Sequence, residues 1–130
     1  MLQWGSSVII NNTKSAHLAV VVLKGAATVI GCPDGTVYVN QTGCKAMATG
    51  GCGDVLTGII AGLAAQGISL QEATLCGVYL HGLAGEYAAD GKVGLAAGEI
   101  AQFLPEARAD VLELASTEEL VYNHAVKVIE

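Results

Sequence analysis

Basic residues are scarce in this sequence, and their scarcity excludes a first class of partner. Six Lys and Arg stand against 12 Asp and Glu in 130 residues, for a formal net charge of −6. The six are scattered at Lys14, Lys24, Lys45, Lys92, Arg108 and Lys127. A protein that follows a phosphate backbone needs a basic stripe; none exists, so nucleic acid is not an expected partner. Long apolar runs are missing as well, although mean hydropathy is +0.52. The longest candidate, Val55–Ala65, stops well short of the roughly 20 residues that span a bilayer. The start, "MLQWGSSVIINNTK", lacks the basic and apolar regions of a secretory leader, so no membrane and a cytoplasmic location are the expectations. Aromatics make up 5% of the chain, so the core must be built from Val, Ile, Leu and Ala. Cys32, Cys44, Cys52 and Cys76 include no CxxC pair, and His17, His81 and His124 do not fall beside them. Free thiols are expected, and no metal site.

What is present is 52% hydrophobic and rich in small residues, with 17 Gly. The length suits one domain. "LAVVVLKG" (Leu18–Gly25) is a short β-branched run without helical period, and it reads as a buried strand of the kind found inside parallel sheets. "ATVIGC" (Ala27–Cys32) and "TVYVN" (Thr36–Asn40) flank "PDG", a turn in which Pro presets φ and Gly supplies positive φ, so residues 27–40 read as a β-hairpin. A glycine-rich loop then leads to a helix starting near Asp54, whose apolar stripe runs through Val55, Leu56, Ile59, Ile60 and Leu63 and should stop near Gly67. "SLQEA" restarts a helix with Ser69 and Glu72 in capping-box spacing, carried on to about Asp90. A third helical region, "AAGEIAQFLPEARADVLELA", should be kinked or divided by Pro105. Residues 99–130 concentrate acids and read as a solvated helix face and tail. The order gives an α/β fold, a small sheet with a hairpin packed by three helices. Tyr79, Tyr87 and His81 lie in the second helix and read as packing or surface residues.

The stretch "ATGGCGD" carries the chemistry. Amide groups in the first turn of a helix lack intrahelical partners and point outward with the positive end of the dipole. Gly50, Gly51 and Gly53 have no Cβ to block an approaching phosphate, so the segment reads as an anion hole. It is not a Walker loop, because no Lys-Ser/Thr pair follows; the nearest base, Lys45, lies upstream. Asp54 reads in two ways: a first-turn acid that favours the helix, or a base aimed at the nucleophile of phosphoryl transfer.

"TGGCGDVLTGIIAGLAAQG" resembles the anion-hole segment of the ribokinase-like superfamily, in which such an Asp opens the helix and serves as base. More narrowly, residues 20–104 resemble the C-terminal half of ADP- or ATP-dependent NAD(P)H-hydrate dehydratases, through "VVVLKGAATVIGCPDGTVYVN", "MATGGCGDVLTGIIAGLAAQG", "ATLCGVYLHGLAGEYAA" and "AAGEIAQFLP". The resemblance implies a single ribokinase-like domain over 1–130, truncated to about its C-terminal half. It implies phosphorylation of the hydroxyl on a hydrated nicotinamide ring by ADP or ATP, with Mg²⁺, followed by loss of phosphate. Lys24, Gly25, Ala26, Ala27 and Thr28 match the family's KGxxT segment for the adenine nucleotide. Gly53 would contribute to nucleotide binding, Gly50, Gly51 and Cys52 to the anion hole, and Asp54 would contact the hydrate and act as base. Where the family usually reads "TGNPGMATGG" this chain has "TGCKAMATGG", and Cys52 stands where Thr or Ser is usual. A half-length sheet implies partners besides nucleotide and hydrated NAD(P)H: a second copy, or a separate chain supplying the other half. Two other readings are a small-molecule kinase of the hydroxyethylthiazole or pyridoxal type, and a non-catalytic remnant that binds nucleotide or only assembles.

Overall fold

The computed structural model describes residues 19–116 and 126–129. The opening "MLQWGSSVIINNTKSAHL", whose sequence reads as a partial strand and a broken helix, lies outside the described residues. Three short strands come first: β1 (Val21–Leu23), β2 (Val29–Gly31) and β3 (Val37–Asn40). Helices α1 (Cys52–Ala65), α2 (Leu70–Ala89), α3 (Ala97–Gln102) and α4 (Leu104–Ser116) follow, and β4 (Val126–Ile129) closes the order. The sheet runs β1-β2-β3-β4 with every pair antiparallel.

The hairpin forms as its turn chemistry dictates. Gly35 takes φ +88°, and Asp34 Oδ1 accepts from the Thr36 amide at 2.8 Å. Period-two alternation then sets the faces. Val22 stands opposite Ile30, and Ile30 opposite Tyr38, so one cross-strand row lies on one face. That row, with Cys32, packs against Leu56 of α1 and Val78 of α2. β1 departs from expectation in two respects. It runs antiparallel to its neighbour, because the few residues between β1 and β2 allow a hairpin but no crossover. It is half-buried rather than buried, because among the described residues the helices cover one face.

The helices follow their local signals. α1 begins at Cys52, two residues before Asp54, and ends before Gly67, which takes φ +91°. α2 opens on the full capping box: the Ser69 hydroxyl accepts from the Glu72 amide, and the Glu72 carboxylate accepts from the Ser69 amide. The third helical region is divided rather than kinked, giving four helices where three regions were expected. Pro105 becomes the second residue of α4, within a first turn where its missing N–H costs nothing. The acidic C-terminal segment is not all helix face and tail, since Val126–Ile129 pairs with β3 as a fourth strand.

A second core lies among the helices, centred on Leu80, Ala84, Ala88, Ile100 and Ala107. α1 joins the two cores, with Cys52 in the helical one and Leu56 in the sheet-facing one. α2 can approach closely because its facing residues are small. A Cβ on Gly82 would lie 2.6 Å from the Thr42 carbonyl carbon, and one on Gly77 would lie 2.7 Å from Ile60 Cγ1.

Candidate anion-binding site

The loop between β3 and α1 is tied down before it reaches the helix. Asn40 Nδ2 donates to the Thr42 carbonyl at 3.0 Å, and Thr42 Oγ1 donates to the Tyr79 carbonyl at 2.9 Å. The Gly43 amide donates to Glu86 Oε1 at 2.7 Å, and the Leu95 amide donates to the Ala46 carbonyl at 3.1 Å. Lys45–Met47 forms one 3₁₀ turn. The chain then enters α1 through Gly51, whose φ of +91° belongs to the left-handed region. Only glycine adopts that region without strain, and a Cβ there would also press on Ala97 Cβ at 3.2 Å.

Inside the first turn, the Asp54 and Val55 amides bond back to the Gly51 carbonyl at 3.0 and 3.1 Å. The Cys52 and Gly53 amides have no hydrogen-bond acceptor among the described residues. Lys24, at the end of β1, reaches across to this turn: a Cβ on Gly53 would collide with Lys24 Nζ. Glycine at 53 is therefore what lets the ammonium rest against the start of the helix. Strand end and helix start, 29 positions apart, present charge and open amides to one place.

That place is a cavity of ≈ 820 Å³ between the hairpin, the tied loop, α1 and α2. Its wall contains Lys24, Lys45 and His81 and no carboxylate. Thr28, Thr42 and Thr49 add hydroxyls. Two ammonium groups, open helix-start amides and no acid make a chemical environment for an anion. A more open depression of ≈ 480 Å³ nearby mixes Lys45 and Lys92 with Glu86 and Asp90 and offers no such single-sign field.

Seven of the ten residues singled out from the sequence line the cavity: Lys24, Gly25, Ala26, Thr28, Gly50, Cys52 and Gly53. Ala27 is exposed outside the wall, and Gly51 shapes the turn from behind. Asp54, third residue of α1, is exposed and does not line the cavity. His81 was read from the sequence as a packing residue, yet it stands in the wall. Its Nε2 is enclosed and has no hydrogen-bond partner among the described residues. Burial pushes its pKa below the ordinary 6.5; the Cys52 backbone opposes this without meeting Nε2 as a hydrogen-bond partner, and the Lys24 charge lowers the pKa further. The signal that marks it is its spacing: Val78, His81 and Gly82 share one helix face, and Gly82 is where α2 meets the loop.

Tyr87 keeps a structural role, its hydroxyl donating to Asp110 Oδ2 at 2.5 Å, which pushes its pKa up to about 12. Among the described residues no cluster of three His, Cys, Asp or Glu could hold a metal ion. No described helix is long and apolar enough to cross a membrane.

The sequence profile described as NAD(P)H-hydrate dehydratase matches residues 6–106. The bifunctional NAD(P)H-hydrate repair enzyme Nnr of Moorella thermoacetica is 57% identical over 89 residues, which cover 67% of this chain and 17% of that protein. The ADP-dependent (S)-NAD(P)H-hydrate dehydratase of Neisseria meningitidis is 48% identical over 86 residues, 64% of this chain and 29% of that one. The crystal structure of the ADP/ATP-dependent NAD(P)H-hydrate dehydratase of Bacillus subtilis, co-crystallised with ATP/Mg²⁺, superimposes with a TM-score of 0.66 at 42% identity, over 70% of this chain and 34% of that one. The architecture is therefore ribokinase-like α/β. The chain spans only 17% to 34% of the length of these three relatives.

Proposed function

The chain belongs to the NAD(P)H-hydrate dehydratase family, and from that premise we propose that it carries the nucleotide-phosphate half of a repair reaction on hydrated NADH or NADPH. The observation that carries the proposal is the cavity wall that sets Lys24 and Lys45 beside open helix-start amides without any carboxylate. ADP or ATP is the ligand class: its phosphates meet Lys24 and the amides of Cys52 and Gly53, with Gly50 leaving room for approach. Gly25, Ala26 and Thr28 hold the remainder of the nucleotide. Hydrogen bonds and charge fixed in place before the ligand arrives stabilise a transferring phosphoryl group without reorganisation.

In this reading the ring hydroxyl of the hydrate attacks the terminal phosphoryl group, its proton passes to Asp54, and the phosphoanhydride bond breaks to release AMP or ADP. Loss of phosphate together with a proton from the neighbouring ring carbon then restores the dihydronicotinamide. Asp54 stands outside the nucleotide cavity, on the first turn of the same helix, which suits a base serving the acceptor rather than the nucleotide. Mg²⁺ enters only as a companion of the nucleotide's phosphates, since the cavity wall supplies no carboxylate to hold it. Four unpaired cysteines suit a reducing compartment and are the basis for proposing a cytoplasmic location. β1 ends the sheet with no further strand beside it among the described residues, which supports pairing with a second copy or a chain bearing the other half. A clean monomer by light scattering would count against that pairing.

The second reading is nucleotide binding without turnover, favoured by the exposure of Asp54 and by the short span relative to the relatives. Two measurements decide between them. Calorimetry with AMP, ADP and ATP tests the site. Phosphate release with hydrated NADH, against hydroxyethylthiazole and pyridoxal as kinase acceptors, tests the reaction. Turnover of hydrated NADH that Asp54→Asn abolishes supports repair. Equal turnover in both chains, including none, overturns the catalytic reading.

A further inference from the structure

His81 carries an uncommitted buried side-chain nitrogen in the wall. Its Nε2 is closed off from water and has no hydrogen-bond partner among the described residues. Left so permanently, such an atom is a standing cost, because a buried polar group without a partner loses its hydration for nothing. The groups that face the ring from the surrounding elements are Lys24 from the end of β1 and the Cys52 backbone in the first turn of α1. Lys45, Cys44 and Cys52 share the same cavity, and none of its wall residues is acidic. The imidazole thus lies in a field that is positive on every charged side and at the place where an anion would cancel it.

We propose that His81 is a third contact for the bound phosphate, taking up a proton from solvent as the anion enters and committing Nε2–H to it. The inference deepens the nucleotide reading and rests on it. Lys24 is the long, flexible part of the surrounding wall, its ammonium resting against Gly53. Drawing it onto a phosphate opens the ring's surroundings. The incoming negative charge then replaces a repulsion with an attraction, so the protonated ring gains a partner that the neutral ring lacks.

The sign follows from linkage. Burial and Lys24 hold the free ring's pKa below 6.5, and an adjacent phosphate raises it. Affinity for ADP therefore increases as pH falls through the bound value and levels off below the free value. Each unit of difference between the two is worth about tenfold in affinity.

The test is a proton NMR titration of the imidazole signals in the full chain, with and without saturating ADP. The His81 signals are assigned by elimination using His17→Gln and His124→Gln. The expected result is a free midpoint below 6.5 and an upward shift of about one unit or more with ADP bound. Calorimetry at pH 8 and pH 6 supplies the second readout. Wild type should gain about threefold more affinity over that interval than His81→Gln for a one-unit shift centred on about pH 6, and the comparison cancels the titration of ADP itself. An unchanged midpoint in the ADP complex overturns the proposal while leaving nucleotide binding intact. Failure of the wild type to bind ADP at all overturns the nucleotide reading, and this proposal with it.

Discussion

Gly53→Ala separates the stability of the α1 start from its chemistry. The position has helical backbone with φ outside the left-handed region, so alanine meets no conformational strain. Alanine in a helix is more favourable than glycine by about 0.5–1 kcal/mol, and a first-turn position sits at the lower end. The melting temperature should therefore hold or rise by a few degrees. The new Cβ, however, occupies the place of Lys24 Nζ, while Lys24 Cε stays 3.6 Å away, so only the flexible tip must swing aside. If that tip holds a phosphate, its loss removes a charge-assisted hydrogen bond of about 1.5–3 kcal/mol, or roughly 10- to 100-fold in ADP affinity. Calorimetry at fixed salt measures it, with Gly58→Ala as control, since a Cβ there meets nothing within 4 Å. The decisive comparison is the double variant Lys24→Ala/Gly53→Ala. If Gly53→Ala acts by moving Lys24, the double variant binds no more weakly than Lys24→Ala alone. An intact fold with unchanged affinity, or fully additive losses, would refute the reasoning.

Other perturbations probe the scaffold. Gly82→Ala should destabilise the chain by about 1–3 kcal/mol through overpacking, because its Cβ would sit 2.6 Å from the Thr42 carbonyl carbon; a shift in urea midpoint measures it. Ile100→Ala empties a fully buried position in the helical core and should cost about 2–5 kcal/mol by denaturant unfolding. Ser69→Ala breaks the capping box and should lower stability by about 1 kcal/mol. Ser69's hydrogen bonds hold the Glu72 carboxyl below its ordinary 4.5, so that contribution is present above pH 4.5 and is lost as pH falls through the depressed value. The gap between thermal melts of wild type and Ser69→Ala should accordingly narrow in acid, the Ser69 hydroxyl's bond from the Glu72 amide keeping the remainder.

Much of the fold was written locally. The PDG turn, the Ser69–Glu72 box, the stop at Gly67 and the division at Pro105 each depend on residues within a few positions of one another. Two features depended on partners far along the chain and were not readable. β4 is four residues whose strand character comes from pairing with β3, some 90 positions away, so the acids around it dominated the reading. β1 was taken for an interior strand because Val21–Leu23 are apolar on both faces, whereas among the described residues the helices cover one face. At the site, the glycines suggest an anion hole from the sequence, and each does something different in the structure. Gly51 takes a left-handed turn, Gly53 makes room for Lys24, and a Cβ on Gly50 would meet nothing within 4 Å. His81 was missed because a histidine in an apolar helix gives no sign of whether its nitrogen is satisfied.

On the proposed reading, binding and turnover are separable. Every wall residue of the cavity comes from residues 24–82, and the cores that fix them draw on residues 20–111. Among the described residues, the loop that carries Lys45 and Gly50 is held by α2 through Thr42, Gly43 and Gly82. Asp54 has no comparable support: it is exposed, and its side chain makes no hydrogen bond to the described residues. A nucleotide site whose supports are internal should bind ADP in the chain as it stands. With Asp54 as the base we propose, its surroundings are solvent, and its catalytic geometry forms only when something covers it, either the hydrate itself or a second protein surface across the first turn of α1. Asp54→Asn should therefore leave ADP affinity within about twofold, a change well under the 1.4 kcal/mol of a tenfold effect, while removing whatever turnover the covered assembly shows. A large loss of ADP affinity in Asp54→Asn would mean that the carboxylate belongs to the nucleotide site after all.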